Sequence, residues 1–287
     1  MTRAQALRAL AAVFAAHGME SPQREARALL CAALGLDQAT LLRDPDGALG
    51  SDVQRLKVWA ARRLAGEPLS RIKGEREFWG LGLSVTSAVL DPRPDSETLI
   101  EAALALGLPR DAPLRIADLG TGSGALLAAL LSEWPHARGV GIDSSPTACA
   151  LAKTNLARHG FDGRTGVICG DWKELAGQEF DLIITNPPYI ATDEIAVLAP
   201  EVRDHDPLAA LDGGPDGLDA YRSIMKLLPL VLARGGFGVV ELGQGQAADV
   251  SALAGEEGLH VAALRPDLAG IDRALVLVKS IESEAGK

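Results

Sequence analysis

Four consecutive residues, Asn186-Pro187-Pro188-Tyr189, set a side-chain amide, two prolines and an aromatic ring directly after the apolar run 180–185. That run reads as a buried parallel strand. The four residues cannot extend it, because neither proline has an N–H to give to a ladder. They make a stiff turn. A residue before a proline is pushed toward extended geometry, which fixes the directions of the Asn186 and Pro187 carbonyls. Rigid acceptors beside a flat ring could clamp a planar NH2 group. A proline-proline turn that ends a strand, with Tyr189 packed as core, accounts for the same four residues. Taken alone they do not separate the two readings.

A second cluster follows another apolar run: Asp118-Leu119-Gly120-Thr121-Gly122-Ser123-Gly124. The spacing G-x-G-x-G differs from the G-x-G-x-x-G of dinucleotide sites. Glycines let the chain turn tightly and let a ligand approach the backbone closely. Asp143 ends the next strand about 20 residues on, where an acid can hold two ribose hydroxyls. Asp171 and Trp172 end the third, an acid that can accept from an adenine amino group beside a ring that can cover the base. Three strand ends in a row point to an adenosine-type cofactor. No Gly-Lys-Ser/Thr follows the glycines, which disfavours a nucleotide kinase or ATPase. S-adenosyl-L-methionine carries no phosphate, and Asp118 suits its ammonium end. With the amide clamp on the same rim, methylation of an amino group is the leading reading.

The elements that must position these residues follow from periodicity. Strands are expected at 114–119, 138–143, 165–169, 180–185, 236–242, 259–264 and 273–279, with helices near 98–106, 123–133, 145–158, 218–232 and 246–257. Such alternation gives an α/β fold with a parallel sheet covered on both faces. Ligands then bind outside the carboxyl ends of the strands, where strand order reverses. Upstream, residues 2 to about 65 read as helices. Leu7, Leu10, Val13 and Phe14 recur at helical spacing, Ser21-Pro22 offers a hydroxyl cap and a first-turn proline, and Gly35 offers a stop. Residues 74–90 alternate as a β-hairpin. The expected division is a helical domain 1–73, a hairpin linker 74–90 and a catalytic domain 91–287. The helical bundle carries no chemical motif, so packing and partner docking are its two candidate roles.

Composition bounds the function. The chain has 287 residues, a net charge of −10 and 47% hydrophobic residues. Its pI is about 5.0 and its mean hydropathy +0.12. This is a globular composition, and it lacks the basic face of a general nucleic-acid binder. Cys31, Cys149 and Cys169 are odd in number and far apart, read as buried thiols in a reducing compartment. The five histidines are scattered, so no metal is expected. No apolar run is long enough for a membrane span, and a cytoplasmic monomer is expected.

The two motifs together resemble the class I methyltransferases that modify exocyclic amino or amide nitrogens. The resemblance narrows with Gly74-Glu75-Arg76-Glu77-Phe78-Trp79 and Pro92-Arg93-Pro94-Asp95-Ser96-Glu97. It narrows further with Pro200-Glu201-Val202-Arg203, the run 210–219 with Tyr221-Arg222, and Asp267-Leu268-Ala269-Gly270-Ile271-Asp272-Arg273. These are similar to the HemK/PrmC family of peptide chain release factor glutamine methyltransferases, over nearly the whole chain and least over 1–65. Ser96 stands where threonine is common, Asp206-Pro207 where Glu-Pro is common, and Asp91 where an apolar residue is usual.

The resemblance implies a seven-stranded, mostly parallel Rossmann-like methyltransferase sheet with a small all-α N-terminal bundle joined by a β-hairpin. It implies methyl transfer from S-adenosyl-L-methionine to the glutamine amide nitrogen in the Gly-Gly-Gln loop of peptide chain release factors. Asn186, Pro187, Pro188 and Tyr189 would bind that amide. Gly120, Thr121, Gly122, Ser123, Gly124, Asp143 and Trp172 would hold the cofactor. The helical bundle would dock the protein substrate, with specificity added by the loop 190–217. A DNA or RNA amino-methyltransferase is the alternative, since an adenine or cytosine NH2 is equally flat. It lacks a Lys/Arg-rich stretch here. A binding module without catalysis is a third reading, weakened by the intact clamp.

Overall fold

The computed structural model describes residues 1–279, so the last eight residues of the expected 91–287 domain lie outside the described residues. The chain divides into two compact units. One is Met1–Gly74 with Pro200–His205, and the other is Glu75–Ala199 with Asp206–Lys287. The hairpin falls in the second unit, and a six-residue piece of the loop that follows the amide motif falls in the first.

The first unit holds α1 (Arg3–Ala16), α2 (Pro22–Leu34), α3 (Gln38–Arg43), α4 (Val53–Leu64) and α5 (Leu69–Lys73). Phe14, Leu29, Leu30, Leu41 and Leu56 are buried together in its core. Thr2 caps α1 with a capping box, a start signal the sequence reading passed over. Two expectations need correction. Ser21 makes no side-chain cap, because it stands at ψ 61° rather than the extended geometry a cap needs. Val13 is exposed, and Ala6 and Phe14 take the buried side of α1 instead. Arg63, buried on α4, donates to Glu25 at 2.9 Å and to Glu201 at 2.6 Å, which anchors the short α9 (Pro200–Arg203) within this unit.

The second unit opens with β1 (Glu75–Phe78) and β2 (Leu81–Ser84), paired antiparallel. Trp79 (φ 51°) and Gly80 (φ 72°) form the two-residue turn, whose left-handed backbone matches the twist of a hairpin. Tryptophan in that region is strained, and two bonds hold it. Its backbone N–H donates to Glu97 at 2.9 Å and its indole N–H to Glu133 at 2.7 Å. After α6 (Glu97–Leu104) the alternating pattern begins. It runs β3 (Arg115–Leu119), α7 (Ala125–Glu133), β4 (Arg138–Asp143), α8 (Pro146–Arg158), β5 (Thr165–Cys169) and β6 (Phe180–Thr185). It ends with α10 (Asp219–Val231), β7 (Leu232–Glu241), α11 (Ala247–Glu256), β8 (Leu259–Pro266) and β9 (Asp272–Lys279).

The sheet order is β5-β4-β3-β6-β7-β9-β8. Six strands run in one direction, and β9 inserts antiparallel between β7 and β8. Side chains alternate between two cores. Ile116, Leu182 and Ile184 enter one, Ala117, Leu119 and Ile183 the other. From β3 the chain builds outward to β5 and then returns to β6 on the opposite side. The switch point therefore lies between β3 and β6, whose carboxyl ends carry Gly120 and Asn186.

Candidate active site

A cavity of about 900 Å³ opens over those strand ends, within the second unit. That is the size range of cofactor sites. Of the residues expected to bind, it is lined by Gly120, Thr121, Gly122, Ser123, Asp143, Asp171, Trp172, Asn186 and Pro188. Asp118, Gly124, Pro187 and Tyr189 stand behind them.

The floor is the turn after β3. Gly120, Gly122 and Gly124 have φ values of 72°, 54° and 81°, a backbone that residues with a Cβ rarely adopt. A Cβ at Gly124 would only touch Ala152 of α8, at 3.4 Å, so it is the positive φ that calls for glycine there. The turn is pinned from outside. The Gly120 and Thr121 N–H groups both donate to the Ile142 carbonyl, at 2.8 and 3.1 Å. Asn155, fully buried on α8, donates to the Ser123 carbonyl at 2.9 Å and the Ser84 carbonyl at 3.0 Å, and accepts from the Ser84 N–H at 2.8 Å. It joins the hairpin to the turn.

Asp118 lies fully buried under this turn and accepts from the Thr121 hydroxyl at 2.6 Å. Its Oδ1 has no hydrogen-bond partner among the described residues. Burial pushes its carboxyl up to about 7, opposed by the Thr121 bond and reinforced by the charge of Asp143.

Asp143 is held by two backbone donors, the Gly122 N–H on Oδ2 and the Ser145 N–H on Oδ1, each at 2.9 Å. An ionised carboxylate has about four lone-pair sites, so capacity remains on both oxygens for a diol. Asp171 caps the short turn Trp172–Leu175 through the Lys173 N–H. The Trp172 ring edge lies 3.9 Å from where a Gly120 Cβ would stand, so the indole borders the glycine floor. Acceptors for a diol, a flat aromatic wall and an uncrowded glycine floor fit an adenosine group.

Asn186 lines the same cavity from the end of β6. Its Nδ2 donates to the Ser96 hydroxyl at 3.1 Å, so Oδ1 is the atom left to accept from a ligand. Pro187 is buried, and Tyr189 is half-buried with its hydroxyl donating to Glu241 at 3.3 Å. The Tyr189 carbonyl accepts from Gln246 at 2.9 Å. Gly217 (φ 73°) packs on this carbonyl so closely that a Cβ would meet it at 2.5 Å. The motif that reads as a turn is thus braced from three sides.

The segment around Ser96 is tied to the loop after the motif. Buried Asp206 accepts from the Asp91 N–H at 3.3 Å and pairs with the Arg93 guanidinium. The carboxylate of Asp91 sits 3.8 Å from Arg76, a counter-charge for an acid where an apolar residue is usual.

The sequence reading passed over Glu241, Gln246 and Asn155. Glu241 carried a signal: an acid at the last position of a buried strand, as Asp143 is. Asn155 carried none, because an asparagine within a helix is ordinary until its neighbours are known. Of the three thiols, Cys31 and Cys149 are buried, but Cys169 is exposed, since β5 is the edge strand. Among the described residues no three His, Cys, Asp or Glu gather as a metal site, and no helix is long and apolar enough to cross a membrane.

Residues 5–74 match the family of the PrmC N-terminal domain, and residues 98–201 that of the methyltransferase small domain. The release factor glutamine methyltransferase of Rhodospirillum rubrum is 46% identical over 260 residues, 90% of this chain and 79% of that one. Its counterpart in Bradyrhizobium diazoefficiens is 46% identical over 279 residues, 94% of this chain and 92% of that one. A solved methyltransferase from Pyrococcus furiosus superposes with a TM-score of 0.51 at 17% identity, over 77% of this chain and 98% of its own, a likeness of fold alone.

Proposed function

The chain belongs to the release factor glutamine methyltransferases, and from that premise we propose how its residues carry out the reaction. It transfers a methyl group from S-adenosyl-L-methionine to a glutamine side-chain amide nitrogen of a peptide chain release factor. The glutamine we assign is that of the Gly-Gly-Gln loop. When bound, the cofactor supplies a methyl group on a cationic sulfur that leaves as a neutral thioether.

This chain's residues do the rest. Gly120 and Gly122 of the 120–124 turn let the cofactor approach the backbone closely, Asp143 takes the ribose hydroxyls, and Asp171 and Trp172 take the base. Asp118 braces the turn through Thr121, and its orphaned Oδ1 is the acceptor offered to the ammonium end. The observation that carries the reading is that Asn186 lines the same cavity as Gly120, Gly122 and Asp143.

An amide nitrogen is a poor nucleophile, because its lone pair is delocalised into the carbonyl. In this reading the Asn186 Oδ1 and the Pro187 carbonyl accept its two hydrogens, which hold the nitrogen and return electron density to it. Pro188 borders the amide, and Tyr189 packs on its plane. Fixing the nitrogen in line with the sulfur–methyl bond can lower a barrier by about 7–11 kcal/mol at best. Nitrogen gains the methyl group and loses one proton. That protonated amide is strongly acidic and gives its proton to water, so no dedicated base is required.

The helical unit 1–74 serves as the release factor's dock, and the enzyme works as a cytoplasmic monomer. Slowed hydrogen exchange within 1–74 on mixing with a release factor supports the docking role. Protection confined to the second unit rules it out. The main reading is tested by labelled methyl transfer to a purified release factor, followed by peptide mass analysis. Label on the Gly-Gly-Gln glutamine is the expected result. Label in nucleic acid and none in the factor would favour the nucleobase alternative.

A further inference from the structure

The hydroxyl that Asn186 donates to belongs to Ser96, and Ser96 is itself placed by its neighbours. Its N–H donates to the Arg93 carbonyl at 3.1 Å, which closes the 94–96 turn. Arg93 and Asp91 lead into that turn, and both donate to Asp206. The Arg93 guanidinium reaches Oδ2, and the Asp91 N–H reaches Oδ1 at 3.3 Å. The Asp206 side chain is 1% exposed. We propose that Asp206 is a positioning residue for the methyl transfer, an anchor that fixes the 91–96 segment and, through Ser96, the direction of the Asn186 amide. The proposal rests on the assignment of Asn186 to the substrate amide.

The segment between anchor and turn is stiff. Pro92 and Pro94 each lock φ, and each pushes the residue before it, Asp91 or Arg93, toward extended geometry. Arg93 adopts it, at φ −92° and ψ 143°. A run with so few free torsions moves as a rod, so two donors held at its near end set the place of Ser96 at its far end. Asp206 is a fixed point in its turn. Further along its own segment the Leu211 carbonyl accepts from the Ile190 N–H at 3.0 Å, and the Gly213 N–H donates to the Ile190 carbonyl at 2.8 Å. Ile190 directly follows the amide motif. The connections close a ring, from Asn186 to Ser96, to Arg93, to Asp206, and along 206–211 back to Ile190. Asn186, Ser96, Arg93, Pro207 and Ala210 all line the cavity, so the ring borders the place proposed for the substrate amide.

A buried ion pair is often no more stable than apolar residues in its place. What this one supplies is a fixed spacing between two segments. Without the carboxylate, Arg93, whose side chain is already 35% exposed, turns to water, and the Asp91 N–H loses this acceptor. The rod is then free at its near end, and the Ser96 oxygen no longer stays opposite Nδ2. The terminal torsion of an asparagine is broad and roughly two-fold, so a released Asn186 offers Nδ2 to the cavity as well as Oδ1. A substrate NH2 needs the acceptor.

The experiment has an arm that needs no turnover. The chain has two asparagines, Asn155 and Asn186. Side-chain 15N labelling of asparagine in the full chain therefore gives two amide signals, which Asn186→Ala assigns. Asn155 holds three backbone groups, so its signal reports on the fold. In Asp206→Ala the Asn186 signal should shift toward that of free asparagine while the Asn155 signal stays in place. If both shift, the fold has changed, and the double variant Arg93→Ala/Asp206→Ala, which leaves no charge of the pair unpartnered, decides by the same reading. An Asn186 signal unmoved from wild type overturns the proposal, whatever the enzyme methylates. In the transfer assay, Asp206→Ala should lower kcat by about a hundredfold, the cost of a small misplacement. Ser96→Ala should do the same. Added to Ser96→Ala, Asp206→Ala should lower kcat no further, because the same link is already cut. Losses that multiply would make Asp206 a support of the fold alone and overturn the coupling. A wild-type enzyme that leaves release factor unmethylated would instead count against the proposed function.

Discussion

Asn186 donates its side-chain N–H to the Ser96 hydroxyl across 90 residues of chain. One hydrogen bond thereby decides which end of the amide is left free to accept. Asn186→Ala removes that acceptor and leaves the glycine floor untouched. Methyl transfer to release factor should fall by about a hundredfold or more, with cofactor affinity by calorimetry unchanged. Transfer near the wild-type rate would remove Asn186 from the reaction.

Asp143 is tied to the turn by the Gly122 N–H and to α8 by the Ser145 N–H. Its free lone pairs are the proposed ribose acceptors. Each hydrogen bond to a charged group contributes about 1.5–3 kcal/mol, so Asp143→Ala should weaken cofactor binding by about a hundredfold. Calorimetry measures it. Unchanged affinity would place the ribose elsewhere.

Asn155 satisfies three backbone groups, two on Ser84 and one on Ser123. An unsatisfied buried polar group costs about 1–3 kcal/mol, so Asn155→Ala should destabilise the fold by about 3 kcal/mol in urea unfolding. Cofactor affinity should fall too, because the Ser123 carbonyl is part of the turn. A loss of stability with affinity unchanged would mean the turn does not depend on this brace.

Asp118 gives a pH dependence of opposite sign to a surface ion pair. Its carboxyl titrates near 3.8 when unfolded and at about 7 when folded, because burial disfavours the charge. The folded state therefore binds more protons between those values. The stabilisation is full below about pH 4 and is lost as pH rises through about 7. Between about pH 5 and about pH 8, the wild type should lose more stability than Asp118→Asn. Urea midpoints at the two pH values measure the difference. The raised carboxyl of Glu241 acts in the same direction and remains in the variant. Equal losses in the two proteins would contradict the assignment.

Periodicity placed the central strands because a strand buried on both faces must be almost wholly apolar, and a run such as 180–185 can be little else. The edge strand β5 is half-buried and the edge strand β8 mostly exposed, and both were placed by the alternation with helices. The largest departure is β7, which starts at Leu232 rather than 236, while β8 runs on to Pro266 rather than ending at 264. The early β7 residues Arg234, Gly235 and Gly236 lack apolar character, so pairing with β6 decided their state. The short α9 was equally hidden, since a Pro-Glu-Val-Arg stretch is ambiguous until Arg63 receives Glu201.

For the site, composition and spacing determined the parts that repeat a backbone rule: glycines where φ is positive, acids at strand ends, prolines where a ladder stops. These are local demands, written in adjacent residues. What holds Asn186 and Tyr189 in place was not legible. Ser96, Glu241 and Gln246 come from three distant segments, and a hydrogen bond between such segments leaves no periodic trace. The sequence by itself determined that an amide motif and a glycine turn end two strands of one sheet. Only the tertiary structure decided which way the amide points, because that depends on a hydrogen bond to Ser96 that exists once the end of β6 and the 94–96 turn are packed together.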